Sequence, residues 1–73
     1  MSGIAAIGES DRVRGFALAG VSVAAADEPG AARAAWRALP AEVALVILTP
    51  AAQAAIGGEL AAGGRRLCVV MPA

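Results

Sequence analysis

Apolar positions along the chain alternate between two patterns. Residues 4–7 form a short apolar run, the first predicted strand. Val13, Phe16, Ala17 and Gly20 then recur at i, i+3, i+4 and i+7, the spacing of one helix face. Ser10 or Asp11 is placed to cap that helix, and Gly20 to end it in the left-handed conformation. Gly15, in its middle, is expected to let the helix pack closely on a sheet. Residues 21–24 alternate weakly and carry β-branched side chains, which predicts a second strand. Asp27-Glu28-Pro29 reads as a helix start: a cap, an acidic first turn and a proline where no N–H is needed. Ala32, Ala35, Trp36 and Leu39 form the apolar stripe of this second helix. Trp36 on that stripe reads as core, Arg33 and Arg37 fall on the wet side, and Pro40 stops the helix.

Residues 43–48 carry the strongest strand pattern. The run is continuously apolar, as expected of a parallel strand covered on both faces. Thr49-Pro50 pairs a cap with a proline at the first helical position. Ala52, Ala55, Ile56 and Leu60 would face inward from this third helix, and Gly57-Gly58 would end it. Gly63-Gly64 predicts a turn, residues 67–71 a fourth strand, and Pro72 its end. The order is βαβαβαβ in one domain spanning residues 1–73. It predicts an α/β fold, a Rossmann-like or flavodoxin-like three-layer sandwich. Its four-stranded parallel sheet takes the order 2-1-3-4, with right-handed crossovers.

Composition changes this picture in one respect. Hydrophobic residues make up 59% of the chain, but many are alanines that bury little area. A domain this small buries only about 60% of its unfolded surface, so it needs outside support. Cys68 is alone and cannot form a disulfide within the chain; in its apolar run it reads as a small hydrophobe. Histidine is absent, so neither a metal centre nor imidazole catalysis is expected. Support from a protein partner is what remains. Six arginines balance six carboxylates, which leaves no electrostatic footprint for nucleic acid. No apolar run approaches the roughly 18 residues of a membrane span, and no signal peptide is visible, so the expected location is cytoplasmic.

Ligands of open α/β sheets bind at the carboxyl ends of the strands. Gly8, Glu9, Ser10, Thr49 and Pro50 fall at that edge. The phosphate-binding patterns G-x-G-x-x-G and G-x-x-x-x-G-K-[ST] are both absent, and Glu9 and Asp11 would repel phosphate. Response-regulator receivers share the expected topology but need an aspartate after the third strand and a lysine further on. Here Leu48-Thr49 stands at that point, and the chain has no lysine. Ser10 or Thr49 as nucleophile would lack a base. Glu9 and Asp11 read as favourable charge at a helix N-terminus rather than an acid–base pair. Arg65-Arg66 beside a glycine turn reads as solvated charge. No catalytic residue, cofactor or metal is therefore expected.

Residues 8–20 resemble the G-[DE]-x-[DE]-x-V-x-G-F-x-L-A-G opening of the F subunit of the V/A-type rotary ATPases. Ala41-Glu42-Val43-Ala44-Leu45-Val46-Ile47-Leu48-Thr49 is similar to that family's third strand and threonine-capped turn. Arg65-Arg66-Leu67-Cys68-Val69-Val70-Met71-Pro72-Ala73 is similar to its fourth strand, which also ends in a proline. The resemblance covers nearly the whole chain. It implies a small Rossmann-like component of the central stalk, part of the V-type ATPase or ATP synthase rotor. Such a component has no catalytic residues or cofactor of its own. It pairs with the long coiled-coil D subunit of the stalk and turns beneath the head subunits. It thereby couples ATP hydrolysis or synthesis to ion transport, proton transport included. It works at the cytoplasmic side, peripheral to the membrane and not inserted in it. Arg12, Arg14, Met71 and Pro72 are the candidate partner-binding residues. Members of the family continue into a C-terminal helix that packs along the coiled coil. The sequence stops at Ala73, so the fourth strand is expected to expose apolar surface. The Thr49-Pro50-Ala51 turn also lacks the acidic residue common there. The alternative is a stand-alone small α/β domain binding a nucleotide or other small molecule, and a third reading is an interaction module outside any ATPase. Phe16 is expected in the core, where truncation to alanine would cost about 3–5 kcal/mol.

Overall fold

A computed structural model describes residues 3–61 and 66–72. Its strands are β1 (Ile4–Gly8), β2 (Ser22–Ala25), β3 (Leu45–Leu48) and β4 (Leu67–Val70), and its helices are α1 (Ser10–Val13), α2 (Pro29–Arg37) and α3 (Pro50–Ile56). The four strands form one parallel sheet in the order β2-β1-β3-β4. The order reverses after β2. Right-handed crossovers therefore place α1 on one face and α2 with α3 on the other, which gives three layers. The fold and strand order are those expected from the sequence. The turn expected at Gly63-Gly64 lies outside the described residues.

The core lies beneath α2 and α3. Ala5, Ile7, Val46 and Leu48 point up from the sheet to meet Ala32 and Trp36 of α2 and Ala52 and Ile56 of α3. Trp36 is only 5% exposed and is the largest side chain in this layer. Ala35, Leu39, Ala55 and Leu60 are half-buried at its margin, so both predicted stripes face inward. Pro29 opens α2 and Pro50 opens α3, each at the start of the helix as expected. Helix α3 stops at Ile56, where Gly57 takes φ +59 and a short 3₁₀ stretch, Gly57–Leu60, follows.

The other face departs from the sequence reading. Only Ser10–Val13 is α-helical; Arg14–Ala19 tightens into a 3₁₀ segment. Gly20 ends it with φ +81, as expected, and its N–H donates to Ala17 O at 3.2 Å. Val13 alone is buried; Phe16 is half-buried, and Ala17 and Gly20 are exposed. Phe16 is thus not a core residue, and its truncation should cost less than the roughly 3–5 kcal/mol of a buried phenylalanine. The physical reason is the weak stripe: below Val13 it offers one large side chain, an alanine and a glycine. That is too little apolar area to hold a regular helix on the sheet. Gly15 is not packed closely either, since a Cβ there would meet nothing within 4 Å. Its φ is not positive. Gly15→Ala is therefore expected to stabilise the domain by about 0.4–1 kcal/mol, chiefly by restricting the unfolded chain. Urea unfolding of the two proteins measures it.

The continuous apolar run predicts a β3 covered on both faces, and the structure covers one fully. Val46 and Leu48 are fully buried, but Leu45 and Ile47 on the opposite face are only half-buried. The reason is the short helix: α1 covers β1 and β2 and stops short of the other two strands. Leu67 and Val69 of β4 are 64% and 47% exposed on the same side, so the expected apolar exposure of the fourth strand is present.

Candidate functional site

The carboxyl edge of the sheet holds the candidate site. β1 and β3 are adjacent there, and their connections leave to opposite faces, so this is the switch point of the fold. Gly8 ends β1 and Thr49 follows β3. The Thr49 side chain lies directly against Gly8. A Cβ on Gly8 would sit 2.3 Å from Thr49 Cγ2 and 2.6 Å from Oγ1. Thr49 is completely buried. Its N–H donates to Ile7 O at 3.2 Å, and its hydroxyl accepts from the Ala52 N–H at 3.3 Å, which caps α3. The same hydroxyl donates to Glu9 Oε1. Gly8, Glu9 and Thr49 therefore form a clasp across the switch point. The Thr49-Pro50-Ala51 turn thus meets a carboxylate from 40 residues away in the sequence, that of Glu9.

Glu9 has its pKa lowered, first by the Thr49 hydroxyl, then by its own backbone N–H, with a smaller contribution from Arg12. Glu59 is lowered by its pairing with Arg37, which is bidentate at 2.9 Å for both bonds. A carboxylate held below its ordinary value adds stability above that value and loses it as the pH falls through the folded pKa. Stability should therefore decline below about pH 4.5. Glu9→Gln is expected to flatten part of that decline in acid titrations followed by far-UV circular dichroism. Both carboxylates meet solvent, so the effect is modest.

Neither Ser10 nor Asp11 caps α1. The cap comes from Asp27, whose Oδ1 accepts the Ser10 N–H at 3.1 Å and whose Oδ2 accepts the Ser10 hydroxyl at 3.2 Å. Asp27 consequently does not cap α2, which starts from Glu28 without a side-chain cap bond. Beside these groups lies a crevice of about 60 Å³. Its lining includes Glu9, Asp27, Glu28, Ala32 and Ala52. Pockets for small ligands run to roughly 300–1,000 Å³, whereas a water takes about 30 Å³. The crevice has room for a water or two. Its rim of three carboxylates repels a phosphate.

Of the four candidate partner-binding residues, the structure brings three together. The Arg12 guanidinium donates to Pro72 O at 2.7 Å, and the Met71 N–H donates to Leu48 O at 2.7 Å. Arg14 is exposed at the start of the 3₁₀ segment. Arg66 is not solvated charge. It donates to Leu39 O, Pro40 O and Val43 O at 3.2, 2.8 and 3.1 Å, and lies 5.4 Å from the Trp36 ring centre. Arg65 lies outside the described residues. Arg33 is half-buried rather than wet and donates to Ala55 O at 3.3 Å, tying α2 to α3. Cys68 is half-buried, and burial pushes its thiol pKa up, which fits a packing role. Among the described residues no group of acidic, cysteine or histidine side chains is arranged to hold a metal ion.

Sequence comparison gives the family of the chain. The profile of the ATP synthase (F/14-kDa) subunit matches residues 4–71. The chain belongs to that family. The match takes in β1 through β4, and with them both halves of the clasp. Neither the curated proteins nor the solved structures gave a match. Membership makes this chain a V/A-type ATPase component of an accessory kind. No helix among the described residues is long and apolar enough to cross a membrane.

Proposed function

We propose that this chain is a non-catalytic central-stalk component of a V/A-type rotary ATPase. It binds the coiled-coil stalk subunit, turns with the rotor beneath the head subunits, and so couples ATP hydrolysis or synthesis to ion transport. It sits on the cytoplasmic side, peripheral to the membrane. The observation that carries this reading is the clasp. In a chain of this family, the place where a Rossmann-like sheet would take a nucleotide is filled by Thr49 and faced with carboxylates. A torque-bearing part needs a stiff body rather than a pocket. Thr49 ties β1, β3 and the start of α3 together at one point. The alternative of a stand-alone nucleotide-binding domain meets a crevice too small and too acidic for the ligand.

Co-expression with the heptad-rich stalk subunit of the same genome tests the reading. Size-exclusion chromatography at micromolar concentration is expected to give one equimolar peak. Separate elution of the two chains would contradict it.

A further inference from the structure

We infer that β4 is a self-association edge. Two copies of the chain pair their β4 strands antiparallel about a two-fold axis at Val69, which joins two four-stranded sheets into a continuous one. The inference goes beyond the stalk reading and concerns the chain on its own.

The strand order leaves β4 at one edge of the sheet, bonded to β3 alone. The Leu67 N–H donates to Ala44 O at 2.8 Å, and the Met71 N–H to Leu48 O at 2.7 Å. Odd positions thus turn their backbone groups toward β3. The residues between them turn theirs the other way, so Cys68 and Val70 each hold an N–H and a C=O away from β3. Water or another strand must take these groups. Both helical layers are set back from this edge. α1 and its 3₁₀ extension pack on β1 and β2, and α3 packs on β1 and β3.

Edge strands are usually guarded by a charge, a proline or a bulge. Residues 67–71 are Leu-Cys-Val-Val-Met, with neither charge nor proline, and the register with β3 runs unbroken from Leu67 to Val70. Arg66, the charge beside this run, is turned back onto the Leu39, Pro40 and Val43 carbonyls and the Trp36 ring. The other edge differs. β2 runs on toward Asp27 and Glu28, and the 3₁₀ segment packs against it.

An extended apolar strand fits such an edge, and a second β4 supplies one. The apolar run 67–71 has its centre at Val69. An axis there sets each apolar residue opposite another: Val69 on its own copy, Leu67 on Met71, Cys68 on Val70. Each pair of Cys68 with Val70 exchanges N–H···O bonds in both directions. An axis at Cys68 would instead put Val70 opposite Arg66. One at Val70 would put Cys68 opposite Pro72, which has no N–H to give. So short a run falls below the roughly 20–30 residues a side of a standard interface, so the dimer is weak, with a Kd on the order of 0.1 mM.

Sedimentation velocity of the full chain from about 10 µM to about 1 mM tests the inference. The mean mass is expected to rise toward that of a dimer across this range. Val70→Pro removes an N–H that faces away from β3, where an edge strand accepts proline. Val69→Lys sets two ammonium groups against each other across the axis, and serves where the proline disturbs folding. Each is expected to weaken association about tenfold or more with unchanged circular dichroism. Leu18→Lys, on the exposed 3₁₀ segment, should leave it within about twofold. The register has its own readout. Cys68 and the opposed Val70 would stand about 5.5 Å apart at Cα, within the span of a disulfide. Val70→Cys is therefore expected to give a disulfide-linked dimer under mild oxidation at high concentration. Wild type, whose two Cys68 residues stand diagonally across the axis, is not. A chain that stays monomeric to about 1 mM would overturn the inference. So would a dimer that both edge variants leave intact, or wild type that crosslinks as readily as Val70→Cys. None of these outcomes bears on the stalk reading, since the coiled coil is absent from the test.

Discussion

Alanine in place of Trp36 is expected to remove most of the stability of this domain. A buried tryptophan truncated to alanine costs about 3–5 kcal/mol. A chain of this length has roughly 4–11 kcal/mol in total, at ~0.05–0.15 per residue. Two features place Trp36 at the upper end. The core is otherwise built from alanines and medium side chains, so no neighbour is large enough to fill the space. Arg66 also loses the ring it lies over, and its hold on the Leu39, Pro40 and Val43 carbonyls loosens. Urea unfolding would show the midpoint falling by about half or more. A midpoint shift worth less than about 1 kcal/mol would mean that the alanine layer carries the core without it.

A single methyl group at Gly8 should carry the next largest cost. The new Cβ would meet three Thr49 atoms inside 3 Å, and Thr49 cannot swing away while it bonds both Glu9 and the Ala52 N–H. Overpacking of this kind costs about 1–3 kcal/mol, and the pinned neighbour puts Gly8→Ala toward the top of that range. Thr49→Ala alone should cost about 1 kcal/mol through the lost cap. Combined with Gly8→Ala it removes the two closest clashing atoms, leaving Thr49 Cβ at 2.9 Å. The double variant is therefore expected to be more stable than Gly8→Ala alone. Strict additivity in the double-mutant cycle would show that the two residues do not press on each other.

What the sequence made legible, and what it did not, follows from distance along the chain. The strands and the proline starts of α2 and α3 rest on neighbours within a few residues and were readable; the parallel order was readable from the alternating βα connections, whose handedness leaves few arrangements. Trp36 was readable as core because its stripe is local. The clasp was not, because Glu9 and Thr49 meet only once β1 and β3 are paired. The same holds for Asp27 capping α1 from 17 residues away, and for Arg66 closing the end of α2. A dipeptide of arginines beside glycines carries no sign that one of them will turn inward. α1 failed for a different reason. Its i, i+3, i+4, i+7 pattern was met by Ala17 and Gly20, which satisfy the spacing but bring almost no apolar area. Periodicity says where a helix would bury its face, not whether burial is enough to keep it. The composition bears on the same point: alanines bury little area, and a domain this small has a thin margin.

The most direct test is the melting temperature of the purified chain, measured alone, with millimolar magnesium ATP, and with excess coiled-coil stalk subunit. A docking component with a filled switch point shows no movement with nucleotide and a rise of several degrees with the coiled coil. A rise with ATP and none with the coiled coil would contradict it.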